Sequence, residues 1–472
     1  MPTRNLILLV VVSLVSLAAF AAREQSAAGR RFGEMLALVE SSYLDRVDGE
    51  DLFEAAVDAA IGRLDEHCAY LRGDGRRDLE ASIDQRFGGV GLELSIDEAA
   101  GVPIVVSPVV DSPAWRSGVR AGDRIEAIDG EPTRGLALKS VVGRLRGRVG
   151  EKVVLRLSSP TEQAAATLDP GAADGSVVRR DVVLVREEIR TESVLGDRRR
   201  ADGSWDWMLE GVQGVALVRI TAFGERTAGE LAAAAAAIED VGGIRGVVID
   251  LRGNPGGLLS AAVEVCDALL DEGVIVHTRG RRSGATTEDA ALDTRRATAG
   301  ASFAGVPLVV LVDGLTASAA EIVAACLQDA GRAKVVGSRT YGKGTVQSIL
   351  PLADDRGLLK LTTSEYLRPS RATIHRRRDD DEDDTWGVSP DAGCEVTVTA
   401  ESRGRLQVWR RSRDAAGGAS ATARPVPAGL PAEIDPVLAR ALRLLVAPAT
   451  EADLGGQKEA SRDDDEPARP DA

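Results

Sequence analysis

Histidine is nearly missing from this chain: 472 residues carry three, His67, His277 and His375, so imidazole chemistry has few places to start. Aromatic residues make up 3% of the composition, and the core must be assembled from Ala, Val and Leu, which suits close packing of helices on sheets. The four cysteines, Cys68, Cys266, Cys326 and Cys394, show no repeated spacing, so neither a disulfide framework nor a zinc site follows. Cys266 and Cys326 fall in apolar helical stretches, where a thiol is a small core residue. Basic charge is in deficit: 58 basic against 73 acidic side chains leave a net charge of −15, which excludes the electrostatic footprint of a nucleic-acid partner. Acidic runs at 379–384 and 463–466 read as solvated loops. One long apolar run is present, at 6–22, and no second one follows, so the body of the chain reads as soluble.

That run follows Arg4 and ends at Ala19-Phe20-Ala21, a small-x-small cleavage pattern. The layout is that of a secretory signal peptide, and the run is near enough to spanning length that an uncleaved inner-membrane anchor fits it too. Either way the expected location is extracytoplasmic, periplasmic or secreted.

Beyond residues 1–22 the texture changes several times. Residues 23–85 read as a helical segment, with apolar positions at Met35, Leu36 and Val39, then at Leu52, Ala56, Ala59, Ala60 and Leu64. Residues 86–158 are β-rich, with strands expected at 102–110, 124–128 and 152–157 and a helix at 136–145. Residues 159–192 read as a linker, rich in Ala, Gly, Asp and Pro, with a return strand at 181–189. From 193 to 400 the pattern is α/β. Strands are expected at 215–220, 246–251, 274–278, 306–312 and 333–336, and helices at 228–240, 258–270 and 319–330. That alternation implies βαβ units on a largely parallel sheet. Residues 401–450 form a C-terminal segment, and 451–472 are too polar to bury and read as disordered.

Three stretches could carry chemistry. In the first, Val310-Leu-Val-Asp-Gly-Leu-Thr-Ala-Ser318-Ala-Ala-Glu321, a strand ends, a turn follows and a helix starts directly after Ser318. A hydroxyl there faces free N–H groups and the helix dipole, both suited to developing negative charge. On this stretch alone a helix cap, completed by Glu321, is the plainer reading. The second, Asp250-Leu-Arg-Gly253-Asn-Pro-Gly256-Gly257, again follows a strand, where ligand sites of open sheets gather. Its glycines let backbone N–H groups approach a reacting oxygen, though a tight turn explains them equally. The third is Gly337-Ser-Arg-Thr-Tyr-Gly342-Lys343-Gly344-Thr345-Val346-Gln347. It imitates a phosphate-binding loop, but Gly344 occupies the hydroxyl position and a strand follows in place of a helix. Together the three make sense as acyl transfer by a Ser–Lys pair, in which Lys343 needs a lowered pKa to act as base. Gln347 is placed to orient its amine, and no histidine lies in these stretches.

At this point the chain resembles the C-terminal processing peptidases, or tail-specific proteases, from about Phe32 to Leu445. The Asp-Leu-Arg-Gly-Asn-Pro-Gly-Gly turn, the Thr-Ala-Ser-Ala-Ala-Glu-Ile stretch and Tyr-Gly-Lys-Gly-Thr-Val-Gln are specific in combination, as is the spacing of 25 residues from Ser318 to Lys343. The resemblance implies an α/β catalytic core of the crotonase-like kind with an inserted PDZ-like domain. By it, Ser318 is the nucleophile, Lys343 the general base and Gln347 its support. Backbone N–H groups of Gly256 or Gly257 and of Ala319 form the oxyanion hole. It further implies a carboxylate-binding loop in Phe87-Gly-Gly-Val-Gly-Leu-Glu-Leu94, where Gly89, Val90, Gly91 and Leu92 would take a substrate C-terminus by strand addition, followed by the signature at 112–125. His67 would be structural. The partners would be protein substrates with free C-termini, with no metal or organic cofactor. Thr316 and Ala320 stand where serines are common, and residues 376–386 form a charged insertion before Val388-Ser-Pro-Asp391 whose role the resemblance leaves open. A catalytically silent PDZ scaffold is the rival reading, against which the intact Ser318, Lys343 and Gln347 argue.

Overall fold

The computed structural model describes residues 27–97, 100–160, 177–281, 290–352, 357–377, 379–381, 383–414 and 434–446. The apolar run at 6–22, the body of the Ala/Gly-rich linker and the acidic tail lie outside these residues. Among the described residues no helix is long and apolar enough to cross a membrane.

The chain divides into two compact units. The first comprises residues 1–76 and 347–362. In it helices Ala27–Ser42 and Gly49–Ile61 precede a short strand, Ala69–Leu71, which pairs antiparallel with Leu358, Leu359 and Lys360. Asp48 caps the second helix through the Glu50 N–H. His67 lies in a turn whose backbone is held by Asp65: the His67 and Cys68 N–H groups donate to Asp65 Oδ1 at 2.8 and 2.9 Å.

The second unit, residues 77–346 and 363–472, holds two domains. The larger is built on a five-stranded sheet. Val215–Ile220, Gly246–Asp250, Leu308–Val312 and Ala333–Gly337 run parallel, and Val194–Leu195 joins antiparallel at the edge. The four parallel strands are near-continuous apolar runs because both faces are covered. Ala216, Val218, Ile220, Val247, Ile249, Val310 and Val312 pack against helices Thr227–Val241, Leu259–Asp267 and Ala319–Asp329. Val215, Leu217, Val248, Val309 and Leu311 alternate with them onto helix Pro436–Val446.

The smaller domain is an antiparallel sheet ordered Leu92–Asp97, Val102–Pro108, Arg124–Ile128, Lys152–Pro160 and Val177–Val185. Helix Leu138–Leu145 closes its core through Val141 and Leu145. The sheet thus continues past residue 158: Val177–Val185 pairs along its whole length with the strand before the linker. Its entry and exit are joined as two antiparallel strands, Arg86–Gly89 and Glu187–Arg190, with Phe87 opposite Ile189. Thr191 N–H then donates to the Gln85 carbonyl at 3.0 Å.

Candidate active site

Three loops leave the carboxyl ends of three neighbouring parallel strands, Gly246–Asp250, Leu308–Val312 and Ala333–Gly337, and so are delivered to one edge of the sheet. They hold the three stretches singled out in the sequence.

The first loop is anchored by charge and by an amide. Arg252 gives two hydrogen bonds to Asp250 (2.9 and 2.7 Å) and two to Asp435 (2.8 and 2.7 Å), all three groups being largely buried. Burial works against the Asp250 carboxylate, but the Arg252 charge and hydrogen bonds outweigh it and hold its pKa below the ordinary value. Fully buried Asn254 donates to the Ile220 carbonyl at 2.8 Å and accepts from the Gly256 N–H at 2.8 Å. Gly256 and Gly257 have φ of 97° and 147°. A β-carbon on Gly256 would lie 2.7 Å from Ser318 Cβ, and one on Gly257 2.0 Å from the Phe223 carbonyl oxygen. Only glycine fits either place. Their amides differ: Gly256 is committed to Asn254, whereas among the described residues the Gly257 N–H meets no acceptor. The two neighbouring glycines thus present one occupied amide and one open amide.

The second loop docks on the first through Asp313, whose Oδ1 accepts from the N–H groups of Gly253 (2.9 Å), Leu315 (3.0 Å) and Thr316 (3.1 Å). The fully buried Thr316 hydroxyl donates to the Leu251 carbonyl at 3.0 Å. Ser318 stands at the start of helix Ala319–Asp329 with φ 58° and ψ −121°. An ordinary N-cap is extended, and this left-handed geometry costs a non-glycine residue about 1–3 kcal/mol. Glu321 does reach back to the Ser318 N–H (2.8 Å). The Glu321 N–H, however, donates to the Ser318 carbonyl (2.9 Å), and the hydroxyl makes no cap bond. A geometric capping box is thus outlined, but the serine side chain is not spent on it. The neighbouring Ala319 N–H is a second amide with no partner among the described residues.

The third loop is tied to the second by the same carboxylate. Glu321, fully buried, accepts at Oε1 from the Thr340 hydroxyl (2.5 Å) and Gly342 N–H (2.7 Å), and at Oε2 from the Ser318 and Lys343 N–H groups (2.8 Å each). Burial pushes its carboxyl above the ordinary value, and these hydrogen bonds oppose the shift only in part. Tyr366 completes the tie. Its hydroxyl lies 2.5 Å from the Lys343 carbonyl and 3.0 Å from Ser318 Oγ. The Tyr366 hydroxyl is the donor in both contacts, the shorter of them to the Lys343 carbonyl. Burial, and then the Glu321 charge, push the Tyr366 hydroxyl upward, so it stays neutral. Ser318 and Lys343 are thus held by the same two buried groups. Lys343 is itself half-buried.

Two of the three histidines have local partners of their own. His277 is a buried strand residue with Nδ1 2.8 Å from the Thr294 hydroxyl, and His67 belongs to the Asp65 turn. His375 lies closer than its sequence position suggests: its backbone fills the space over Gly344. In the first unit, Gln347 Nε2 reaches the Thr362 hydroxyl at 3.4 Å.

The PDZ loop is peeled open. The Val90 carbonyl accepts from Ala114 N–H (3.0 Å), and the Gly91 carbonyl accepts from Val109 N–H (3.0 Å) and the Ser112 hydroxyl (3.2 Å). Their own N–H groups have no partner among the described residues. Gly91, at φ 76°, has Ser112 where a β-carbon would go, 2.2 Å from its Cβ. Gly89 ends the entry strand opposite Glu187, and Leu92 opens the edge strand of the sheet. Carbonyls bonded inward and amides left over are a backbone arrangement of the kind that can accept an anion.

Glu321 was read from sequence only as a capping residue, and Tyr366 not at all. Their common signal is burial beside Ser318, which no local spacing reveals.

Comparison with known proteins gives the family. Residues 214–393 match the model of peptidase family S41, and residues 104–158 match a PDZ domain. A carboxy-terminal-processing protease of Bartonella bacilliformis is 33% identical over 83% of this chain and 83% of its own length. The carboxy-terminal processing protease CtpA of Bacillus subtilis is 29% identical over 76% of this chain and 67% of its own length. Among solved structures, the photosystem II D1 C-terminal processing protease is similar at 25% identity and a TM-score of 0.42, covering 79% of this chain and 94% of that one. The chain belongs to peptidase family S41, as a PDZ-bearing carboxy-terminal processing protease, a serine-type hydrolase of protein substrates.

Proposed function

We propose that the protein is an exported endopeptidase that cleaves extracytoplasmic proteins selected by their free C-termini, working with a Ser–Lys pair on a crotonase-like core. Ser318 Oγ attacks the scissile carbonyl while its proton passes to the neutral amine of Lys343. The C–N bond then breaks as that proton moves to the departing amine, and water cleaves the acyl-serine by the same route in reverse. Gln347 supports the Lys343 amine, as the family likeness implies. The Gly257 and Ala319 N–H groups receive the developing oxyanion; both lack an acceptor among the described residues while Gly256 is already occupied, which favours this pair. The observation that carries the reading is Glu321, a single buried carboxylate that fixes the backbone of both reacting residues.

At the other end of the substrate, the Val90 and Gly91 amides take the terminal carboxylate while the last residues add to the Leu92–Asp97 edge. An unfolded protein with an apolar C-terminus is expected to lose about 10-fold or more in kcat/KM when that terminus is converted to a carboxamide. That is the scale of one lost charge-assisted hydrogen bond. Equal turnover of the acid and the amide contradicts selection by the carboxylate. For export, N-terminal sequencing of protein recovered from fractionated cells is expected to begin shortly after Ala21, or to find residues 1–22 intact in the membrane fraction. Recovery of the intact chain in the cytosol contradicts it.

A further inference from the structure

The charged insertion at 376–386 takes no part in the chemistry above, yet it folds directly against the loop that carries Lys343. We infer that it is a clasp on that loop and that Trp386 is a positioning residue for Lys343, an inference that rests on the reading of Lys343 as the base. Glycines flank Lys343 on both sides, so its backbone is intrinsically loose. On the inner side the loop is held by Glu321 and Tyr366: besides the bonds described, Tyr366 N–H donates to the Gly344 carbonyl at 2.9 Å. On the other side, Gly342 and Gly344 have no side chains to pack, and His375, Arg376 and Trp386 fill the space. A β-carbon on Gly342 (φ 88°) would meet Arg376 Cβ and Trp386 Cε3, each at 2.8 Å, and one on Gly344 would meet His375 N at 2.4 Å. Arg376 N–H also donates to the Gly342 carbonyl at 2.8 Å.

Trp386 is itself locked. It is 6% exposed, and its ring has the Arg376 guanidinium 4.3 Å and the Arg339 guanidinium 4.6 Å from its centroid. Its indole N–H donates to the Asp381 carbonyl at 3.0 Å, and Arg339 Nη1 to the Asp384 carbonyl at 3.3 Å. The insertion is thereby tied both to itself and to the stretch leading into Lys343. The strap ends next to Val388, whose N–H donates to the Thr340 hydroxyl at 2.8 Å, the same hydroxyl that donates to Glu321. The charged and titratable groups that face the loop are Glu321 and Tyr366 from inside and His375, Arg376 and Arg339 from outside. Removing the indole admits water beside Gly342. Better hydration favours the charged form of an amine, so a higher pH is needed to make a looser, wetter Lys343 neutral.

The test measures kcat, KM and the pH dependence of kcat for the full chain on fluorescein-labelled casein. It compares wild type with Trp386→Ala, Trp386→Phe, Arg339→Gln and Lys343→Ala, alongside melting curves. Trp386→Ala is expected to lose about 10- to 100-fold in kcat, the scale of a small misplacement of a reacting group. Its KM should stay within about 2-fold, and its acid limb should move up by about one pH unit. Trp386→Phe keeps a ring over Gly342 and is expected within about 3-fold of wild type. Arg339→Gln shifts the limb the same way at smaller amplitude, and serves where Trp386→Ala fails to fold. A folded Trp386→Ala with wild-type kcat and limb overturns the inference. So does a fall shared by Trp386→Ala and Trp386→Phe with the limb unmoved, and so does an unshifted Arg339→Gln. Wild-type turnover by Lys343→Ala would instead sink the reading of the base and leave the clasp without an object.

Discussion

Ser318→Ala and Lys343→Ala are each expected to lower turnover of an unfolded protein by about 10⁴-fold or more, because in such catalytic units removal of one member costs nearly as much as removal of all. Both variants are expected to fold. The left-handed backbone at Ser318 is imposed by its surroundings: Glu321 on its N–H, Gly256 against its Cβ and the helix that follows. Alanine inherits that geometry and removes one contact of the Tyr366 hydroxyl, which keeps its bond to the Lys343 carbonyl. Melting temperatures close to wild type, with turnover at background, are the combination that marks loss of chemistry rather than of structure. Substantial turnover by Ser318→Ala would exclude it as nucleophile.

Glu321→Gln carries the second large effect, and here activity and stability fall together. The carboxylate fills four acceptor positions with four donors. A glutamine keeps one oxygen and sets an NH₂ group against the two donors at the other, each worth about 1–3 kcal/mol when left unsatisfied in the interior. At the Oε2 position the NH₂ would face the Ser318 and Lys343 N–H groups, and at Oε1 the Thr340 hydroxyl and the Gly342 N–H next to Lys343, so kcat is expected to drop by about 100-fold or more, with a lower melting temperature. The wild-type pH dependence has a definite sign. Burial raises the Glu321 pKa above the ordinary carboxylate value, so it takes up a proton at a higher pH than a surface glutamate does. Protonation removes acceptor capacity from the clamp, so activity begins to fail on the acid side above the usual carboxylate range. A variant with normal kcat and an unchanged melting curve would show that the clamp is dispensable.

Much of this arrangement was legible in the sequence. The three motif stretches each follow an apolar run, and in a parallel sheet such runs end at a common edge, so their meeting could be anticipated from period and spacing. Which of the Gly256 and Gly257 amides is occupied could not, because it turns on the Asn254 side chain, which takes one amide and leaves the next free. Tyr366 was invisible for another reason. It is the next-to-last residue of the strand Leu358–Leu367, whose sequence mixes Thr, Ser and Lys among its apolar residues and gives no clear alternation. The last strand of the PDZ sheet was read as a linker return because its partner lies on the far side of residues 161–176. Helix Ala400–Asp414 was not marked at all, since its charged residues leave no continuous apolar stripe, although Trp409 and Arg410 are buried. The insertion at 376–386 reads as solvated from its charge alone. Only the packing of Trp386 on Gly342 shows that one end of it belongs to the interior.

The central claim is that lysine, and not histidine, is the base. The most direct measurement compares turnover of casein by wild type, Lys343→Ala and His375→Ala across a pH series, since His375 is the histidine whose backbone packs on the Lys343 loop. The account predicts background activity for Lys343→Ala at every pH, and for His375→Ala an activity within a few-fold of wild type with the same acid limb. Persistent turnover by Lys343→Ala, or loss of turnover by a folded His375→Ala, would contradict it.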